Sequence, residues 1–116
     1  MGPFQIIFNQ RSSAELASLS KQMQLDILGN FKGLPEQAMT TDLAQYGQLH
    51  REGHILYRFR IGDYRIYFER HPLGIQVVRI LSRNSLKDFL FRSSLPIPED
   101  QQLEANPAFW KLIEES

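Results

Sequence analysis

The residues best suited to chemistry are the arginines gathered in the middle of the chain. Between residues 51 and 92 lie Arg51, Arg58, Arg60, Arg65, Arg70, Arg79, Arg83, Lys87 and Arg92, against Glu52, Asp63, Glu69 and Asp88, a net of +5. Eight of those nine cations are arginine, whose planar fork suits phosphate and carboxylate groups. Residues 1–50 carry a net of −1 and residues 93–116 a net of −4, so 13 Lys+Arg meet 13 Asp+Glu and the formal total is zero. Because the charges are segregated, that total says nothing against a nucleic-acid partner. Histidine titrates near neutral pH and is the side chain here best able to act as a general base. His54 shares a strand and a face with Arg58 and Arg60, which makes it either the base or a surface residue at a strand start. His50 and His71 read as loop residues. The sequence contains no cysteine, which removes disulfides, thiol nucleophiles and zinc–thiolate sites, and no carboxylate–histidine spacing points to a metal. No cofactor is expected.

Alternation places these residues on strands. Residues 54–61 put Ile55, Tyr57, Phe59 and Ile61 on one face and His54, Leu56, Arg58 and Arg60 on the other. Gly62-Asp63 is a two-residue hairpin turn with glycine first, the order a type II′ turn prefers. Residues 64–70 then set Tyr64, Ile66 and Phe68 opposite Arg65, Tyr67 and Glu69. After the turn His71-Pro72-Leu73-Gly74, residues 75–81 form a third strand, with Val77, Arg79 and Leu81 opposite Gln76, Val78 and Ile80. The expected product is a sheet face displaying Arg58, Arg60, Arg65 and Tyr67, joined at the rim by Arg83. Guanidinium groups on such a face would hold phosphates, and Tyr67, with Tyr46 or Tyr57 at the edges, would stack an unpaired base. The alternative is the ordinary solvated side of a half-buried antiparallel sheet.

The elements that position the meander come before it. Phe4-Gln5-Ile6-Ile7-Phe8 is β-branched and aromatic and reads as a first strand. Ser12 or Ser13 offers an N-cap to one long helix with Leu16, Leu19, Met23 and Ile27 at helical spacing, widened by Leu28 and stopped at Gly29-Asn30. Pro35-Glu36 opens a second short helix to about Tyr46, with Leu34, Met39 and Leu43 inward, and residues 85–92 fit a further turn or two around Leu86, Phe89 and Leu90. A strand and one or two helices packed on an antiparallel meander make an α+β fold, the helices covering the face of Ile55, Phe59 and Ile66.

Length bounds the rest. At 116 residues, with 42% hydrophobic and 11% aromatic content, the chain is one ordered domain, and no apolar run approaches the ~20 residues of a membrane span. Met1-Gly2-Pro3 lacks the basic and apolar regions of a secretory signal, so a cytoplasmic protein is expected, with no membrane partner.

The stretch Leu56-Tyr57-Arg58-Phe59-Arg60-Ile61-Gly62-Asp63-Tyr64-Arg65-Ile66-Tyr67-Phe68, followed by Ile80-Leu81-Ser82-Arg83, resembles the RelE/ParE toxin superfamily. Its members show a hairpin of the pattern YR-x-R-x-GDYR, a final strand and an arginine shortly after it, and the resemblance spans roughly residues 4–92. It implies the toxin of a type II toxin–antitoxin pair with a cognate antitoxin as partner. RelE-like members cut mRNA on the ribosome, inhibiting translation, and ParE-like members inhibit DNA gyrase. The first role makes the chain a metal-free endoribonuclease, or mRNA interferase. The second, or a degenerate toxin acting through antitoxin binding and operon regulation, makes it a non-cleaving module. By position, Arg65 matches the arginine that stabilises the transition-state phosphate, Arg58 and Arg60 match basic residues of the preceding strand, and Arg83 matches the arginine after the last strand. With His54 these form the candidate catalytic set, and Tyr67 and Arg79 the substrate-binding set. Members often carry a tyrosine where this chain has Phe89, which cannot transfer a proton.

The remaining segment, residues 95–116, is set apart from a toxin domain at residues 1–94. Pro96 and Pro98 mark a linker, and Asn106-Pro107 is an N-cap followed by a first-turn proline. Phe109, Trp110, Leu112 and Ile113 then form an apolar stripe too short to persist without docking. This segment either completes the core or acts as an antitoxin-like acidic helix over the basic face. It would lie on its own chain or, by tail exchange in a homodimer, on a neighbour's.

Overall fold

A computed structural model describes residues 5–31, 46–82 and 99–114. Five strands form one mixed sheet: β1 (Gln5–Phe8), β2 (Tyr46–Arg51), β3 (His54–Ile61), β4 (Tyr64–His71) and β5 (Gly74–Ser82), in the order β1-β5-β4-β3-β2. The strands from β2 to β5 pair as an antiparallel meander, and β1 returns to pair in parallel with β5. The helices are α1 (Gln10–Ala17), α2 (Lys21–Phe31), α3 (Glu99–Glu104) and α4 (Pro107–Glu114). No described helix is long and apolar enough to cross a membrane. The α+β architecture, with its C-terminal helical tail, is the one the sequence predicts.

The single N-terminal helix expected from the apolar spacing is two helices. Asn9, rather than Ser12 or Ser13, caps α1: its Oδ1 accepts the Ser12 N–H at 2.7 Å, and Ser12 Oγ accepts the Asn9 N–H at 3.1 Å. A second cap interrupts the helix after Ala17. Ser18 Oγ donates to the Glu15 carbonyl at 2.7 Å, and Ser20 Oγ accepts the Met23 N–H at 3.2 Å. Serines that bond local backbone in this way compete with helix continuation. Leu16, Leu19, Met23 and Ile27 nonetheless all reach one core, and α2 passes through Gly29-Asn30 to Phe31.

Strand β2 is the element that the pattern missed. Tyr46, expected to end a helix, opens this strand, and His50, expected in a loop, lies within it. His71 likewise closes β4 instead of sitting in a turn. The turn at Gly62-Asp63 is as expected, with Gly62 at φ 56°, a value that glycine adopts without steric cost. The expected helices at 35–46 and 85–92, with Phe89, and the linker prolines lie outside the described residues, Tyr46 apart.

Two apolar layers sandwich the sheet. On one face Tyr57, Phe59, Ile66, Phe68, Ile75, Val77 and Ile80 pack under α1 and α2. Ile55, expected in this core, is 39% exposed. On the other face Leu49, Leu56, Tyr67, Val78 and Leu81 pack under Leu103 of α3 and Phe109, Trp110 and Ile113 of α4. An irregularity in β5 explains the one parity error. Tyr67 pairs with Arg79 and Phe68 with Val77, so Val78 is an extra residue in the ladder. Val77 therefore joins the core under α1 and α2, apart from Arg79 and Leu81, and Val78 lies in the other core, apart from Ile80.

Candidate nucleic-acid interface

Pairing register builds the arginine cluster. Across β3, β4 and β5, Arg58 stands opposite Tyr67, and Tyr67 opposite Arg79; in the next row Arg60 stands opposite Arg65. The structure thus brings Arg58, Arg60, Arg65, Arg79 and Tyr67 together. Arg83 lies outside the described residues.

The face is not open. Arg58, Arg65 and Arg79 are only 3%, 6% and 6% exposed and Tyr67 is fully buried, whereas Arg60 is exposed. The cover is α3–α4. Phe109 meets Tyr67 edge-on, with ring centroids 5.3 Å apart, and Trp110 meets Phe109 edge-on at 5.7 Å. Tyr67 is therefore an interior ring and presents no face to a base. Tyr57 is equally unavailable: it stacks on Phe68 at 5.5 Å on the opposite side of the sheet. Trp110 donates Nε1–H to the Glu104 carbonyl at 2.8 Å, tying α4 to α3.

Burying a guanidinium requires partners that replace its water. Arg58 forms a bidentate fork with Asp100 of α3, with Nε–Oδ1 at 3.1 Å and Nη2–Oδ2 at 2.7 Å. Arg79 is clamped by Glu15 of α1, which receives Nε and Nη2 at 2.7–3.1 Å and also accepts the Ile80 N–H at 2.9 Å. The β1 pairing ends at Phe8 opposite Val77, so Glu15 satisfies the edge of β5 beyond the end of β1. Arg79 Nη1 also donates to the Leu112 carbonyl at 3.2 Å, joining α1, β5 and α4. These bonds make Arg79 a tie between layers. Arg65 Nη1 reaches back to the Gly62 carbonyl at 3.4 Å.

His54 does not join the cluster. It lies four residues from Arg58 and six from Arg60, or about 13 and 20 Å along an extended strand. Its Nε2 pairs instead with Glu69 Oε1 at 2.7 Å. That pair lines a groove of about 380 Å³ with Arg51, Trp110, Ile113 and Glu114. The geometry thus separates His54 from any phosphate held at the level of Arg60 and Arg65. No group of His, Asp and Glu among the described residues could hold a metal.

Two partners of the buried arginines, Glu15 and Asp100, do not stand out in the sequence. For Asp100 the opposite charge of the tail and the meander was a signal. For Glu15 there was none, since nothing in its helical spacing links it to Arg79.

No family model matches the sequence, and no curated protein does. Solved structures do. A chain of the archaeal RelE–RelB complex from Pyrococcus horikoshii superposes with a TM-score of 0.56 at 22% identity, covering 69% of this chain and 94% of that one. A chain of the toxin–antitoxin complex RelBE2 from Mycobacterium tuberculosis gives 0.51 at 18% identity, covering 70% and 99%. A chain of the RelB–RelE antitoxin–toxin complex from Methanococcus jannaschii gives 0.50 at 21%, covering 73% and 99%. Strand order, helix placement and these superpositions agree that the chain has the RelE-like toxin fold.

Proposed function

We propose that this chain is the toxin of a type II toxin–antitoxin pair, held by a cognate antitoxin, and that it inhibits translation by cutting mRNA on the ribosome. The observation that carries the reading is the placement of Arg58, Arg60 and Arg65 in adjacent cross-strand rows of a RelE-like sheet. The solved neighbours are toxin–antitoxin complexes, which supports the partner.

The chemistry follows from what fixed cations do. The ribose 2′-oxygen attacks the adjacent phosphorus, the bond from phosphorus to the 5′-oxygen breaks, and a 2′,3′-cyclic phosphate and a 5′-hydroxyl result. Negative charge builds on the non-bridging oxygens. Arg65, with Arg58, Arg60 and Arg83, would supply guanidinium donors to those oxygens as that charge develops, usually the largest catalytic contribution. Arginine stays protonated, so these residues bind charge and do not act as the base. Ribosomal groups or RNA-bound water would move the protons.

A second reading, a non-cleaving toxin acting on gyrase or through its antitoxin alone, is favoured by Phe89, which has no hydroxyl. Expression of the chain and of its Arg65→Ala and Arg83→Ala variants separates the two. Primer extension on translated mRNA should map breaks within codons that weaken roughly 100-fold or more when either arginine is removed. Growth arrest with intact mRNA would sink the nuclease reading.

A further inference from the structure

We infer that α3–α4 is an autoinhibitory cover in which the Asp100 carboxylate occupies the phosphate-binding fork of Arg58. The inference rests on the proposed function in taking that fork to be a phosphate site.

Asp100 meets Arg58 as a phosphate would, with two oxygens against two parallel N–H groups at 3.1 and 2.7 Å. The Arg58 side chain is 4% exposed and that of Asp100 is 21%, so the ligand side of the pair is the one that solvent reaches. Strand β2 is shaped to admit the pair. Gly47 stands opposite Arg58 in the ladder, and a Cβ there would lie 2.9 Å from Arg58 Cζ and nearer still to the Asp100 carboxylate. Any larger residue would push the fork off the strand.

Further carboxylates of the tail meet β2. Glu104 Oε1 accepts the His50 N–H at 2.6 Å and lies 3.5 Å from His50 Nδ1, and Glu114 lies 3.5 Å from Arg51. Among the described residues, Asp100 and Glu114 of the tail thus sit on Arg58 and Arg51 of the meander. The solved neighbours use 94–99% of their own length but only 69–73% of this chain. Phe109, Trp110 and Ile113 anchor the cover through the second core, while its contact with the phosphate fork is ionic and can be exchanged for RNA.

The test is binding of a fluorescein-labelled, 2′-O-methylated single-stranded RNA, which cannot be cleaved, to the full-length chain by anisotropy. Asp100→Asn frees the fork and leaves Arg58 in place. It should bind roughly tenfold or more tightly than the unaltered chain, the scale of a charge-assisted hydrogen bond. Adding Arg58→Ala to Asp100→Asn should cancel the gain. A third protein, His50→Cys with Glu104→Cys, carries the only two thiols in the chain. Joining them with a short bis-maleimide should weaken binding relative to the same protein unjoined. Equal affinity for all these proteins would overturn the cover and leave the RNA reading standing. Absence of binding by every variant, with circular dichroism showing each one folded, would overturn the phosphate site and the cover with it.

Discussion

The two faces of the sheet are closed in different ways. Under α1 and α2 the contacts are mainly apolar, built on Phe59, Ile66, Phe68 and Ile27, with Ser12 and Glu15 of α1 bonding to β5. Under α3 and α4 an apolar patch around Tyr67, Phe109 and Trp110 adjoins buried arginines, and Arg58 is neutralised by a carboxylate that arrives with the cover. Apolar burial has no substitute ligand in solution. An arginine–carboxylate fork does, because any phosphate offers the same two oxygens. The first face is thus built to hold the fold together, and the second to be closed by one ligand and opened by another.

If the faces differ in this way, equal truncations should have unequal effects. Phe59→Ala, in the fully buried apolar layer, should cost about 3–5 kcal/mol of global stability in urea titrations followed by circular dichroism. Phe109 is as large and as buried, yet its loss is capped by the free energy of opening the cover. Phe109→Ala should cost roughly 1–3 kcal/mol of global stability. The protein's one tryptophan, Trp110, lies in the cover, so its emission should shift to the red at lower urea than the loss of sheet signal. Coincident transitions in this variant would mean that the two layers form one cooperative unit. Glu15→Gln removes the clamp on Arg79, which bridges both layers, and should lower both transitions by roughly 1–3 kcal/mol. Arg51→Ala deletes only a part-exposed pair with Glu114 and a contact over the Trp110 ring at 5.8 Å. It should change stability by about 0–1 kcal/mol while making Trp110 emission less sensitive to salt.

The same contrast explains what the sequence made legible. Strand β3 and the Gly62-Asp63 turn stand out because alternation and turn chemistry are local. The α1–α2 break was hidden in a continuous apolar stripe, and only serine-to-backbone bonds reveal it. Strand β2 has Leu49 as its single buried apolar side chain among described neighbours, too little for a period-two signal. The residue added at Val78 shifts parity within β5, and no composition rule announces it. The arginine row itself was readable, because pairing of adjacent hairpin strands follows from a two-residue turn. Its cover was one of the two readings of the tail, but the individual partners were not legible, since Asp100 lies 42 residues from Arg58 and Glu15 lies 64 from Arg79. His54 was grouped with the cluster by face alone, and strand length separates them.

The most direct measurement is amide hydrogen exchange of the full-length chain with and without the uncleavable single-stranded RNA. If RNA and Asp100 compete for the Arg58 fork, bound RNA must lift the cover. Exchange across residues 99–114 should then accelerate while β3, β4 and β5 stay protected. RNA that binds while leaving residues 99–114 unchanged, or slowing their exchange, would show that the cover does not occupy the nucleic-acid site.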